Sequence, residues 1–147
     1  MIMDKRIEFA DAIALNTGVA GSYLVGDVLD LGLARDVGLG EYFWLVINVQ
    51  TTATSGGAAT LVVNLVTDSA AALSSPVILV SSASFAVAAL IAGVNVLAIR
   101  LPAEGVAYKR YIGIQQVTGT AAFTAGKIDA FMVQDYAKWR AYADAIN

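Results

Sequence analysis

Paired carboxylates are the main route to acid–base chemistry that this chain retains, because its 147 residues contain neither histidine nor cysteine. Those two absences exclude Ser-His-Asp and Cys-His catalysis, imidazole and thiolate metal ligands, and disulfides. Asp27 and Asp30 are three residues apart, and on a strand that spacing places them on opposite faces. Asp36 and Glu41 flank a glycine-rich segment that could bring them together. A carboxylate-based hydrolase therefore remains an alternative.

Glycine and acidic residues do not have the spacing of a cofactor or metal site. Gly38 and Gly40 lack the third glycine of a dinucleotide-binding loop. Six residues separate Gly119 from Gly126, whereas a phosphate-binding loop has four between its glycines. The acidic residues are scattered rather than clustered as calcium requires. We expect no cofactor and no metal ion.

Charge and hydropathy narrow the range of partners. The formal net charge is −3 and no basic cluster is present, which argues against nucleic acid. The mean hydropathy is +0.68, but the most apolar stretch, 83–101, is interrupted by Ser84, Gly93 and Asn95 and does not supply the ~20 apolar residues of a membrane-spanning helix. The first residues mix both charges, so we expect no export signal.

Apolar residues recur with a period of two through the middle of the chain, which is typical of strands. In 42–52, Leu45, Ile47 and Val49 share one face, and the half-apolar opposite face is expected to be covered. Paired glycines in 53–57 predict a reversal, with 60–68 as the hairpin partner. The pattern predicts an all-β fold: a single jelly-roll-like antiparallel β-sandwich of about eight strands. The expected strands are 23–31, 42–52, 60–68, 77–81, a short one near Phe85, 94–101, 109–117 and 127–134.

Both ends depart from this pattern. We expect an N-terminal arm over 1–16, either a short amphipathic helix or an extended segment, and a sandwich over 17–135. Residues 136–147 are rich in helix formers and are expected to form a short C-terminal helical tail. Each end caps its own domain or contacts other chains.

A sandwich rich in alanine and valine, with few charges, has more apolar face than one small core needs, which indicates association with proteins. The segments Asp30-Leu31-Gly32, Ala34-Arg35-Asp36-Val37-Gly38 and Gly40-Glu41 carry a family likeness, as do 57–61, 111–114, 124–126 and 134–135. From about residue 9 to residue 135, the chain resembles the jelly-roll capsid cement, or decoration, proteins of short-tailed bacteriophages.

The resemblance implies a virion structural protein without enzymatic activity, made in the cytoplasm of the host bacterium. It implies binding to the outer surface of the assembled capsid, where the protein staples neighbouring subunits of the major capsid protein and stabilises the DNA-filled head. The implied self-association is a homodimer, with a trimer as the alternative. A carbohydrate-binding or adhesive jelly roll is the alternative function, and Tyr108 and Tyr111 beside Lys109 and Arg110 are its candidate group. We expect these tyrosines instead to cover an edge of the sandwich.

The residues that we expect at protein interfaces fall into three groups. Apolar side chains of the arm form the first, Arg35 with Asp36 the second, and aromatic side chains of the tail the third. Arg35 could instead pair internally with Asp36 or Glu41, and the aromatic residues could pack on their own sandwich. The complete set is Ile2, Ile7, Phe9, Arg35, Asp36, Tyr136, Trp139 and Tyr142.

Overall fold

The computed structural model describes residues 5–34, 42–101, 105–134 and residue 136. Within these residues the chain forms nine strands and two short 3₁₀ turns, at Lys5–Ile7 and Val87–Ala89. No helix among them has the length and apolar character needed to cross a membrane. The strands are β1 (Glu8–Ala14), β2 (Gly21–Asp30), β3 (Trp44–Ser55), β4 (Thr60–Asp68), β5 (Val77–Ser81), β6 (Phe85–Ala86), β7 (Asn95–Arg100), β8 (Tyr111–Gly119) and β9 (Phe123–Val133).

The strands form two antiparallel sheets whose pairings are nested. The first sheet has the order β1-β9-β3-β7, and the second has the order β2-β8-β4-β5, with β6 paired to β4. The innermost pair is therefore β4 with β5, followed outwards by β3 with β7, β2 with β8, and β1 with β9. A long antiparallel ribbon wound in this way is the connectivity of a jelly roll. The predicted all-β sandwich is confirmed.

The core lies between the sheets and uses the predicted alternation. Leu45, Ile47 and Val49 of β3 are buried against Leu61, Val63 and Leu65 of β4. β3 belongs to the first sheet and β4 to the second, so the apolar faces of the two sheets meet in the core. The observed bounds of β4 and β5 match the predicted segments 60–68 and 77–81.

The expected hairpin between 42–52 and 60–68 is wrong. β3 pairs with β7 and β9, whereas β4 pairs with β5, β6 and β8. The reversal after Ser55 carries the chain from one sheet to the other. Paired glycines allow a sharp turn but do not determine whether the following strand pairs with or packs against the preceding one.

A strand of the sandwich lies within the stretch 1–16, where the sequence predicted an arm. Residues 8–14 form β1 and pair with β9, with register shifts on both sides of Ala10. Phe9 and Ala10 are adjacent and both buried, so the period of two is lost. Ala12 adopts a φ of 49° and its N–H donates to Asp129 Oδ1 at 2.7 Å. The predicted C-terminal helix lies outside the described residues, apart from Tyr136.

A buried amide fixes the chain just after β1. Gln116 of β8 is fully buried and accepts a hydrogen bond from the Asn16 N–H at 2.8 Å. Its Nε2 donates to the Asn16 carbonyl at 3.0 Å and to Thr118 Oγ1 at 2.7 Å. The side chain therefore satisfies backbone groups that no strand partner reaches, as a buried polar group must.

The first strands of the two sheets touch through their backbones. Gly26 of β2 has a φ of 77°, and a Cβ atom at this position would overlap the carbonyl oxygen of Phe9 in β1. A glycine is required here both for the positive φ and for the close approach. This contact closes the side of the sandwich formed by β1 and β2.

Replacing Gly26 with alanine is expected to destabilise the domain by ~2–4 kcal/mol, because backbone strain and overlap with β1 add. Gly93→Ala is the matched control: Gly93 has a φ of 90° but open space around the added methyl group. It should cost only ~1 kcal/mol. Urea unfolding of both variants measures the difference, and equal losses would show that the β1–β2 contact tolerates a side chain.

Candidate functional site

Four side chains at one end of the first sheet form a surface that we name the aromatic patch: Tyr42, Trp44, Arg100 and Tyr136. Trp44 begins β3 and lies between Arg100 of β7 and Val133 of β9. The rings of Trp44 and Tyr136 are stacked, with centroids 5.2 Å apart and planes inclined by 21°. The Arg100 guanidinium carbon lies 3.3 Å from the centroid of the Tyr42 ring. Tyr42 is 58% exposed, so aromatic surface and a positive charge are available together.

The patch continues into a second apolar cluster on the outer face of the same sheet. Val46, Phe131 and Val133 are buried there, with Trp44 and Tyr136 packed against them. The sequence prediction that the second face of 42–52 is covered is confirmed at Val46. Farther along, Asn95 Nδ2 donates to Asn48 Oδ1 at 2.8 Å, and this amide pair separates the cluster from the far end of the sheet.

An ion pair joins β2 to the segment before β8. Arg110 Nε and Nη2 donate to the two Asp30 oxygens at 2.8 and 2.7 Å, and the Gly32 N–H donates to Asp30 Oδ1 at 2.8 Å. These hydrogen bonds, led by that of Arg110, lower the pKa of Asp30 to about 2. Two parallel bonds hold both groups in a fixed orientation. We call this pair the β2 clasp; it lies just before the stretch 35–41.

A second carboxylate organises the loop between β4 and β5. Asp68 is buried and accepts hydrogen bonds from the N–H groups of Ser75 at 2.9 Å and Ser69 at 2.6 Å. The Ser75 hydrogen bond is the largest cause of its lowered pKa. Lys109 Nζ lies 3.8 Å away. Asp30 and Asp68 thus hold loops, and the described residues contain no group of His, Cys, Asp or Glu side chains arranged to hold a metal ion.

The structure separates the predicted interface residues into three sets. Ile7 is partly buried against the core, and Phe9, at 1% exposed, lies in the core itself, so its side chain packs within its own domain and offers no surface to a partner. Tyr136 belongs to the aromatic patch. The remaining predicted residues lie outside the described part of the chain: Ile2, Arg35, Asp36, Trp139 and Tyr142.

Of the predicted interface residues, the aromatic patch contains Tyr136. Tyr42 directly follows the stretch that carries Arg35 and Asp36, and Tyr136 precedes Trp139 and Tyr142 by a few residues. The described residue that follows 35–41 and the last described residue therefore both lie in the patch. Sequence reasoning missed Arg100, since nothing local links it to Tyr42, which lies far from it in the chain.

The group proposed for carbohydrate binding is not assembled as a platform. Tyr108 is buried in the core. Tyr111 is half-buried, and the Arg110 guanidinium lies 5.0 Å from its ring centroid. Stacking on a sugar needs an exposed aromatic face, which Tyr108 does not offer. Tyr108 and Tyr111 therefore do not form a shared exposed platform.

The fold and these contacts define a class: a jelly-roll domain whose described ion pairs fix loops and whose exposed aromatic patch lies at one end. Comparison with protein families gives a match to the family described as Bbp16 over residues 9–132, which includes nearly all of the two sheets. The chain belongs to the Bbp16 family. A comparison with curated proteins found no match.

The β2 clasp predicts how stability depends on pH. The folded-state pKa of Asp30 is lowered from 3.8 to about 2, so the clasp stabilises the fold above pH 3.8 and its contribution is lost as the pH falls through about 2. Asp30→Asn should therefore lower the urea midpoint at neutral pH. The difference in urea midpoint between the wild type and this variant should disappear as the pH falls from 3.8 to about 2.

Asp27→Asn removes the same charge from the same strand without touching Arg110 and serves as the control. Urea midpoints of the wild type and both variants, measured across the pH interval, test the assignment. A gap for Asp30→Asn that persisted unchanged below pH 2 would show that its cause is not the ionised carboxylate.

Proposed function

We propose that this chain is a bacteriophage virion structural protein that binds the outer surface of the assembled capsid and staples neighbouring subunits of the major capsid protein. The name of the Bbp16 family suggests a phage-related protein, in agreement with the sequence resemblance. The proposed location is the outside of the DNA-filled head, after synthesis in the host bacterial cytoplasm. The proposed partners are the major capsid protein and a second copy of the chain.

The observation that carries the proposal is the position of the aromatic patch. It brings three aromatic side chains and Arg100 together at one end of the first sheet, where Tyr42 is 58% exposed. Aromatic and arginine side chains dominate the energetics of protein interfaces. An end of the sandwich that carries both residue types is suited to binding another protein.

A cement protein stabilises the capsid by binding alone and needs no catalytic group. A protein that binds only the assembled shell stabilises that shell by mass action. If two linked copies engage two capsid subunits, the second contact is effectively intramolecular, so modest contacts suffice. The described carboxylates Asp30 and Asp68, which hold loops, agree with a structural role.

Binding to heads tests the proposal directly. The purified chain is mixed with empty expanded heads of the phage that encodes it, and occupancy is measured by sedimentation and imaging. The expected result is regular, saturable occupancy. Heads that stay bare well above micromolar concentration would refute capsid binding, and a glycan-binding screen would then test the carbohydrate alternative.

A substitution in the patch locates the contact. Arg100→Ala removes the exposed cation over Tyr42 and is expected to weaken head binding by roughly tenfold to a hundredfold. Val19→Ala is the control, since Val19 is 78% exposed in the turn between β1 and β2, at the opposite end of the sandwich. Equal losses in both variants would place the contact elsewhere.

A further inference from the structure

The outer face of the second sheet carries a buried apolar side chain near the end of β4. Along this strand, Val63 and Leu65 face the core between the sheets, so Val66 faces outwards. Val66 lies between Gly113 of β8 and Ile78 of β5. Its side chain is nevertheless fully buried. A residue on an outer sheet face reaches this burial only beneath another segment of the protein.

The segment that lies over this place is the loop between β4 and β5, residues 69–75, which we name the strap. Its Leu73 is buried, and a Cβ atom at Gly113 would lie 2.5 Å from Leu73 Cδ1 and 3.7 Å from Val28 Cγ2. Leu73 therefore fills the space that the glycine leaves open. We call the site formed by Gly113, Val28 and Val66 the slot, and Leu73 is its occupant. The other residues of the strap are exposed.

One carboxylate fastens both ends of the strap. The Ser69 N–H donates to Asp68 Oδ1 at 2.6 Å, and the Ser75 N–H donates to Asp68 Oδ2 at 2.9 Å. Between these ends, the Leu73 N–H donates to the Ala70 carbonyl at 3.0 Å and closes a turn. The Asp68 carboxylate and the Leu73 side chain are therefore the main attachments of the strap to the sheet.

The backbone of Leu73 opposes the burial of its side chain. Its φ is 45°, in the left-handed region that a leucine rarely adopts. Burial of an apolar side chain favours the closed strap, whereas backbone strain and the ordering of six exposed residues oppose it. Leu73 and Val66 lie outside the apolar cluster that fills the space between the sheets. The strap can therefore leave the slot without a change in that core.

We propose that the strap is a lid that opens as one unit and exposes the slot while the two sheets stay folded. Local opening is favoured where a segment has few buried apolar contacts and few hydrogen bonds to the rest of the domain. The open form uncovers Val66 beside Ile78, which is already 48% exposed. Opening therefore enlarges the exposed apolar surface of the second sheet. The lid is independent of capsid binding and is measured without capsids.

Thiol labelling measures the opening. The chain has no cysteine, so Val66→Cys and Val63→Cys each place a single thiol on β4. Both valines are fully buried, but Val66 lies under the strap and Val63 faces the core. With the thiol reagent DTNB in native buffer, Val66→Cys should react at least ~tenfold faster, after correction for the stability of each variant by urea unfolding. Equal rates would overturn the proposal, because the slot would then open only on global unfolding.

Two substitutions open the strap by different routes. Asp68→Asn removes the carboxylate that fastens both ends, and Gly113→Ala places a methyl group in the slot. Each should raise the labelling rate of Val66→Cys by roughly tenfold and leave that of Val63→Cys nearly unchanged. Asp27→Asn, which removes an exposed carboxylate of β2, is the control and should change neither rate. Labelling of Val66→Cys that neither Asp68→Asn nor Gly113→Ala accelerates would show that the strap is not its cover.

Hydrogen exchange of the wild-type chain gives a second measurement if a variant fails to fold. The N–H groups of Leu73 and Ser75 have partners in the closed strap. Their exchange should depend little on low urea concentrations, because opening the strap exposes little surface. The N–H groups of β4, which lies between β8 and β5, should exchange with the urea dependence of global unfolding. One shared urea dependence for the strap and β4 would refute independent opening.

Discussion

The close contact between the first two strands is the constraint on which the rest of the domain depends. At Gly26 the backbone of β2 lies against the Phe9 carbonyl of β1, and only a residue without a side chain permits it. This contact places Phe9 and Ala10 in the core and closes one side of the sandwich. Each sheet has one further edge strand. These strands, β5 and β7, form the opposite side of the sandwich, which carries exposed apolar residues.

Polar groups in this domain mainly fix the segments between strands. Asp30 holds Arg110 and Gly32, Asp68 holds the loop after β4, and the Gln116 amide holds Asn16. Asp68 and Gln116 are buried and need such partners. Asp30 is exposed, and its two parallel bonds with Arg110 fix the orientation of both groups. Exposed aromatic and apolar side chains of the described residues include Tyr42 in the aromatic patch at one end and Ile78 and Ile99 at the β5 and β7 edges on one side. Contacts at two separate surfaces would let one chain bridge others.

Sequence reasoning succeeded where burial is one-sided and regular. The alternation in 42–52 and 60–68 predicted β3 and β4 because each residue has a fixed face. It failed at β1, where bulges beside Ala10 put two consecutive residues in the core. It also failed at the turn after Ser55, since local turn chemistry does not specify which sheet receives the next strand. The patch was predicted only at Tyr136; its Arg100–Tyr42 contact depends on pairing between distant strands, which periodicity does not encode.

A reconstruction by electron cryomicroscopy of expanded heads saturated with this chain would show which end of the sandwich contacts the capsid. We expect the end that bears the aromatic patch to face the capsid shell, with the turn that contains Val19 directed away from it. Ordered copies that contact the shell through the Val19 end, with the aromatic patch facing solvent, would refute the proposed contact.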